Sequence, residues 1–313
     1  MLTTKFKTVI LLLAFFALFL SLGCGLGDDD FADTDIGTLQ KIVEDDKEGL
    51  FEPGLNNDGD SLFTADLSKA LAQNGASDFW KTAANNINFG RLIQPIDPKK
   101  DITLDIVVQD TIAYATVSYQ LKGSFVIDSA GIRSLKPLRH QLSRSITFLK
   151  RDNPATSEKW VPIMISAAYG SSLDPASLAE NTRLVIDSIW VGLPQGNIIV
   201  DDPAEIVNFY GNPFTLHNND SIVVYVKVRN KIDGFDRPIG FVTNGKNKEN
   251  QFRRRLAMTR IPFTDYFRKT LYVEASQKRG FNQLVIDFLT QSAINRRSRP
   301  YDSYMIAIPY KVQ

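Results

Sequence analysis

Ile112-Ala-Tyr-Ala-Thr-Val-Ser-Tyr-Gln-Leu-Lys-Gly-Ser-Phe-Val-Ile127 decides how this chain folds. The stretch is rich in Val, Ile, Thr and Tyr, whose branched or aromatic side chains suit a pleated surface, so it reads as a long β-strand. Turn residues bracket it, Asp110 before and Ser129-Ala-Gly131 after. Segments of the same character flank it: Ile102 to Val108 upstream, then Leu138 to Lys150 and Trp160 to Tyr169 downstream, with Asp152-Asn-Pro154 as a further turn. Links this short imply an antiparallel meander.

Helical patterns come before the strands. Ile36, Leu39, Ile42 and Val43 recur at helical spacing and predict a short amphipathic helix ending near Gly49. Thr64 to Gln73 carries Leu67, Ala70 and Leu71 on one stripe and stops at Asn74-Gly75, and a second short helix runs from Ser77 through Phe79 and Trp80. Helices followed by long antiparallel strands predict an α+β layer pair. Over Asp60 to Gly170 this order, with Phe89-Gly-Arg-Leu-Ile93 entering the sheet and Lys159-Trp160 opening the final strand, resembles the cone-shaped NTF2-like (SnoaL-like) fold. A cystatin-like domain shares the order. The NTF2-like resemblance implies a pocket that could serve a small-ligand carrier or an enzyme.

Beyond a polar linker from Asp174-Pro175 to Asn181, apolar alternation returns in Leu184 to Val191, Ile222 to Val228, Pro238 to Thr243, Phe252 to Met258, Leu271 to Glu274, Leu284 to Leu289 and Tyr304 to Tyr310. Ile222, Val224, Val226 and Val228 share one strand face, with Lys227 and Arg229 on the other. About seven short strands with turn signals predict an antiparallel β-sandwich with Trp190 as a core aromatic. With no cysteine pair to brace it, the segment resembles an Ig-like or fibronectin-like module, which implies an adhesive or structural role.

The N-terminal stretch sets the location. Lys5 and Lys7 precede an apolar run from Val9 to Leu20, followed by Ser21-Leu22-Gly23-Cys24. Twelve helical residues span roughly 18 Å against a hydrocarbon core of roughly 30 Å, too short to cross a bilayer and right for a signal h-region. Cys24 is the one cysteine in 313 residues, so no disulfide within the chain explains it. The segment resembles a signal peptidase II lipobox, with Ser21 where leucine is usual. That resemblance implies cleavage before Cys24, a palmitate-type acyl anchor on it, and a lipoprotein held in the cell envelope by membrane lipid. Gly25, where inner-membrane lipoproteins carry Asp, implies the outer membrane facing the periplasm. Asp28-Asp29-Asp30 is similar to the surface-export signals of some lipoproteins. The expected organisation is a signal peptide over 1–23, an acidic tether over 24–35, an α+β domain over 36–173, a linker over 174–182 and a sandwich over 183–313.

Hydrophobic content of 43% and charged content of 23% belong to a chain able to bury a core. Net charge is only +1, yet residues 25–60 hold twelve carboxylates against two lysines, whereas Lys227 to Arg299 holds seventeen Lys and Arg against six Asp and Glu. An acidic head and a basic tail result.

Candidate sites are few. His140, beside Arg139 and Arg144 and with Tyr114 or Tyr119 as neighbours, is the residue that could act as a general base; a rim histidine is the plainer reading. Two histidines and one cysteine cannot furnish a zinc site, so no metal is expected. Gly54 to Asp60 is similar to part of a calcium loop but lacks both anchoring ligands, Gly54 and Ala65 standing at the first and twelfth positions. No Gly-x-Ser-x-Gly elbow, His-Glu-x-x-His or Walker loop occurs, and no cofactor is expected. Arg253, Arg254 and Arg255, Arg268 with Lys269, Lys278 with Arg279, and Arg296, Arg297 and Arg299 form basic clusters that could grip an anionic envelope component, whether lipid phosphates, an acidic polysaccharide or the acidic head of a partner protein; strand-edge protection is the plainer reading. Nucleic acid is not an expected partner in this compartment.

Overall fold

A computed structural model describes residues 35–45, 51, 53–55, 87–129, 131–151, 160–201, 206–208, 215–231, 236–246, 255–296 and 298–313. The chain divides into two compact units, residues 1–41 and 42–313. Helix α1 (Asp35–Asp45) buries Leu39 and Val43, four residues apart on one stripe, and leaves Ile36 exposed.

The rest is organised by strands. In chain order they are β1 (Ile87–Ile93), β2 (Ile102–Gln109), β3 (Ile112–Ser129), β4 (Ile132–Lys150), β5 (Trp160–Ser166), β6 (Ala168–Ser172), β7 (Leu184–Leu193), β8 (Gly196–Val200) and β9 (Ile206–Asn208). There follow β10 (Thr215–Leu216), β11 (Ser221–Asn230), β12 (Pro238–Asn244), β13 (Leu256–Ala257), β14 (Thr259–Arg260), β15 (Tyr266–Tyr272), β16 (Gly280–Thr290) and β17 (Ser303–Val312). Two further short helices are described, α2 (Pro98–Asp101) and α3 (Gln291–Asn295).

The long stretch from Ile112 becomes β3, and it pairs along its whole length with β4, from Ile112 opposite Leu149 to Ser129 opposite Ile132. Asp110 takes a left-handed backbone (φ 56°) in the two-residue loop that returns β2 onto β3, a conformation that aspartate tolerates better than branched residues do. One twelve-stranded sheet follows the order β1-β3-β4-β6-β17-β16-β12-β13, with β2, β5, β9 and β10 attached beside it; a second sheet has the order β14-β15-β11-β7-β8. Two glycines let backbones approach where the large sheet curls. A Cβ on Gly170 would lie 1.8 Å from the Gln141 carbonyl oxygen, and one on Gly123 would lie 2.0 Å from that of Leu92.

This architecture corrects the expected fold. Among the described residues there is neither a helix-plus-cone NTF2-like arrangement nor a following separate Ig-like sandwich: they are mostly strand, and both halves of the chain contribute to one curled, largely antiparallel sheet. The join is β6 against β17, with Tyr304 opposite Ser171 and Ala307 opposite Ala168. Helix-strand order is a local property, whereas this pairing spans more than 130 residues and leaves no mark in local composition. The helices expected over Thr64 to Gln73 and from Ser77 lie outside the described residues. Trp190 also differs from its expected place. Ile189 and Val191 are buried on either side of it, so strand alternation turns Trp190 to the outer face.

Strands β12, β16 and β17 bury both faces. One face meets the smaller sheet in an apolar core that includes Ile189, Val224, Val226, Phe267, Val242, Ile286, Phe288, Ile306 and Ile308. Phe267 and Phe288 meet edge to face there, their ring centroids 5.0 Å apart. Each such side chain contributes about 1.5–3 kcal/mol by leaving water. The other face looks into the curl of the large sheet, toward Phe89, Phe125, Ile127 and Leu138.

Candidate functional site

The interior of the curl carries charge. Along β4 the inward positions read Lys136, Leu138, His140, Leu142, Arg144 and Ile146, all buried, so every second inward residue is basic. Opposite them stand Arg91 of β1, Asp287 and Gln283 of β16, and Arg255 just before β13, each no more than 2% exposed.

Arg91 and Asp287 form a two-pronged ion pair, with Nη1 2.7 Å from Oδ2 and Nη2 2.8 Å from Oδ1. Two further donors of Arg91 are also used: Nε donates to the Tyr301 hydroxyl at 2.8 Å and Nη2 to Ser303 Oγ at 3.2 Å. Ser303 Oγ donates in turn to Asp287 Oδ1 at 3.1 Å, and Arg255 Nη1 approaches Oδ2 at 3.4 Å while its guanidinium lies over Phe89 at 5.2 Å. Burial pushes the Asp287 carboxyl up, but the Arg91 charge and hydrogen bond, with Arg255 and Ser303, outweigh it and hold the group below its ordinary value. Burial raises the Tyr301 hydroxyl, which stays protonated.

His140 is fully buried, and neither ring nitrogen has a hydrogen-bond partner among the described residues. Burial, reinforced by the Arg91 charge, pushes it down to about 3; Asp287 opposes the shift, as does the Gly170 backbone, which lies close without hydrogen-bond geometry. The ring is therefore neutral at ordinary pH. Its aromatic neighbour is Tyr301, with centroids 6.2 Å apart. Arg144 turns away to donate to Gln283 Oε1 at 3.0 Å and to the Ala307 carbonyl at 3.3 Å. Lys136 donates to the Ala293 carbonyl and, at 2.8 Å, to that of Arg296, capping the C-terminal end of α3, while burial lowers its ammonium to about 8.

The expected site residues therefore scatter. His140 is an interior residue instead of a rim one. Arg139 points to the opposite side of β4, Tyr114 is exposed, and the Tyr119 hydroxyl donates to the Phe51 carbonyl. Arg255 is buried against Asp287, whereas Arg296 is exposed. Arg253, Arg254, Arg297 and Cys24 lie outside the described residues, as does the calcium-like loop beyond Leu55. Among the described residues no three metal-ligating side chains converge, and no helix is long and apolar enough to cross a membrane. No family model matches the chain, and a search of curated proteins returns no match.

The sequence reading passed over Arg91, Asp287, Tyr301 and Lys136. A signal did exist. Asp287 interrupts the apolar run Leu284 to Leu289, Arg91 interrupts Phe89 to Ile93, and Lys136, His140 and Arg144 recur every fourth residue on one face of β4. A charge inside a strand that is buried on both faces calls for a buried partner.

Proposed function

We propose that the chain is a lipid-anchored protein of the bacterial cell envelope whose β-rich body acts as a non-enzymatic binding or structural module. Acyl chains on Cys24 tie it to membrane lipid, and Gly25 favours the outer membrane facing the periplasm, with surface display as the alternative. The anchor is supported by the basic, apolar and small-residue pattern from Lys5 to Cys24 and by the lone thiol. Its partner is an anionic envelope component or an envelope protein, and nucleic acid is not an expected one.

The observation that carries the non-enzymatic reading is the state of the interior. Arg91, Asp287, Tyr301 and Ser303 bond one another, and a histidine held near 3 is a poor acid or base at neutral pH. Palmitate labelling tests the anchor. The wild type is expected to incorporate label and sediment with envelopes, and Cys24→Ser to lose both. A Cys24→Ser protein that still takes up label and still sediments would overturn the reading.

A further inference from the structure

We propose that the outer face of the smaller sheet binds an acidic polysaccharide, an inference that rests on the reading of the body as an envelope-binding module. Cross-strand register places Ile199 of β8, Trp190 of β7, Tyr225 of β11, Arg268 of β15 and Thr259 of β14 in one row. At ~4.8 Å between strands, the four steps make a line of roughly 19 Å across the sheet, suited to an extended polymer.

The chemistry of the row is specific. The Trp190 and Tyr225 rings meet edge to face with centroids 5.2 Å apart, and the Arg268 guanidinium stands over Tyr225 at 5.4 Å. Trp190 folds back over Gly192, where an added Cβ would come within 2.5 Å of its ring, so the glycine makes room for the indole to lie along the sheet. Arg268 is exposed and makes no ion pair among the described residues, and neither the Trp190 N–H nor the Tyr225 hydroxyl makes a hydrogen bond among them. Two residues along β11 and beyond, Lys227 and Arg229 share the single carboxylate of Asp187, which leaves the face with an excess of positive charge.

Aromatic ring faces carry partial negative charge and attract the C–H edges of a sugar ring. A guanidinium takes a carboxylate through two parallel hydrogen bonds, and it stays pre-organised when stacked on a ring. Unused N–H and O–H donors suit hydroxyl and uronate oxygens. Ser188, Asn197 and Thr270 lie beside the rings on the same face and add hydroxyl and amide groups that can bond sugar hydroxyls.

The test is native affinity electrophoresis of the full-length protein in gels containing alginate, with dextran as the neutral control. Alginate is expected to retard the wild type and dextran to leave it unretarded. Arg268→Gln, an exposed change that spares the fold, and Trp190→Ala, checked by near-ultraviolet circular dichroism, should each weaken retention at least about fivefold. No retardation by alginate, equal retardation by dextran, or full retention in both variants overturns the proposal. Equal retardation by single-stranded DNA that survives Trp190→Ala also overturns it, because the binding is then mere adsorption of polyanions. If alginate retention fails while palmitate incorporation persists, the face alone is lost; if labelling fails while retention holds, the envelope reading falls and the face stands.

Discussion

Ile286 and Asp287 are neighbours on β16, yet their side chains enter two different interiors. Ile286 points into the apolar layer shared with the smaller sheet, where packing of buried side chains dominates and the Asn244 amide adds a bond to the Tyr272 carbonyl at the margin. Asp287 points into the curl, where one carboxylate collects Arg91, Arg255 and Ser303 from three other parts of the chain. The contrast separates two ways of joining strands. The apolar layer tolerates gradual change, because each lost methylene costs its own share. The charged interior does not, because removing one partner strands the others in a dry medium.

The largest expected effect follows from that asymmetry. Asp287→Ala should destabilise the protein by about 3–5 kcal/mol in chemical denaturation, since Arg91 and Arg255 are left buried without their carboxylate. Replacing both members of the pair, Arg91→Met with Asp287→Leu, should recover most of that loss; failure to recover would mean the pair contributes more than mutual neutralisation. Next in size is acid sensitivity. His140 has a folded value near 3 against an ordinary 6.5, so its contribution is complete above about 6.5 and is lost as pH falls towards 3, because the unfolded chain takes up the proton. By pH 5 the loss is about 2 kcal/mol. His140→Leu should flatten the stability profile between pH 6.5 and 5 and leave stability at pH 7 unchanged or higher. Across the strand, Ile286→Val should cost about 1 kcal/mol, with no partner change able to restore it. Arg268→Gln, on the outer face, should move stability by less than about 0.5 kcal/mol while weakening alginate retention.

Much of the local structure could be read in the sequence. The paired strands β3 and β4 followed from Ile112 to Ile127 and Leu138 to Lys150, and the alternation of Ile222, Val224, Val226 and Val228 gave the buried face of β11. Pairing between distant segments could not be read in this way. Arg91 and Asp287 are 196 residues apart, and β6 offers the same backbone groups to any strand that reaches it. Arg255 shows the same limit at a single residue. Three consecutive arginines guarantee that some charge faces outward, but only the position of Asp287 explains why this one faces inward. The cone and sandwich resemblances rested on element order, and order is blind to which edges meet.

Strand β17 lies between β6 and β16, with β10 beside its last residues, so its ten residues hold the two halves of the large sheet together. A nascent chain lacks that keystone until residues 303–312 have left the ribosome. Until then β6 and β16 each present a bare edge, and the two halves of the large sheet are joined only when this strand docks between them.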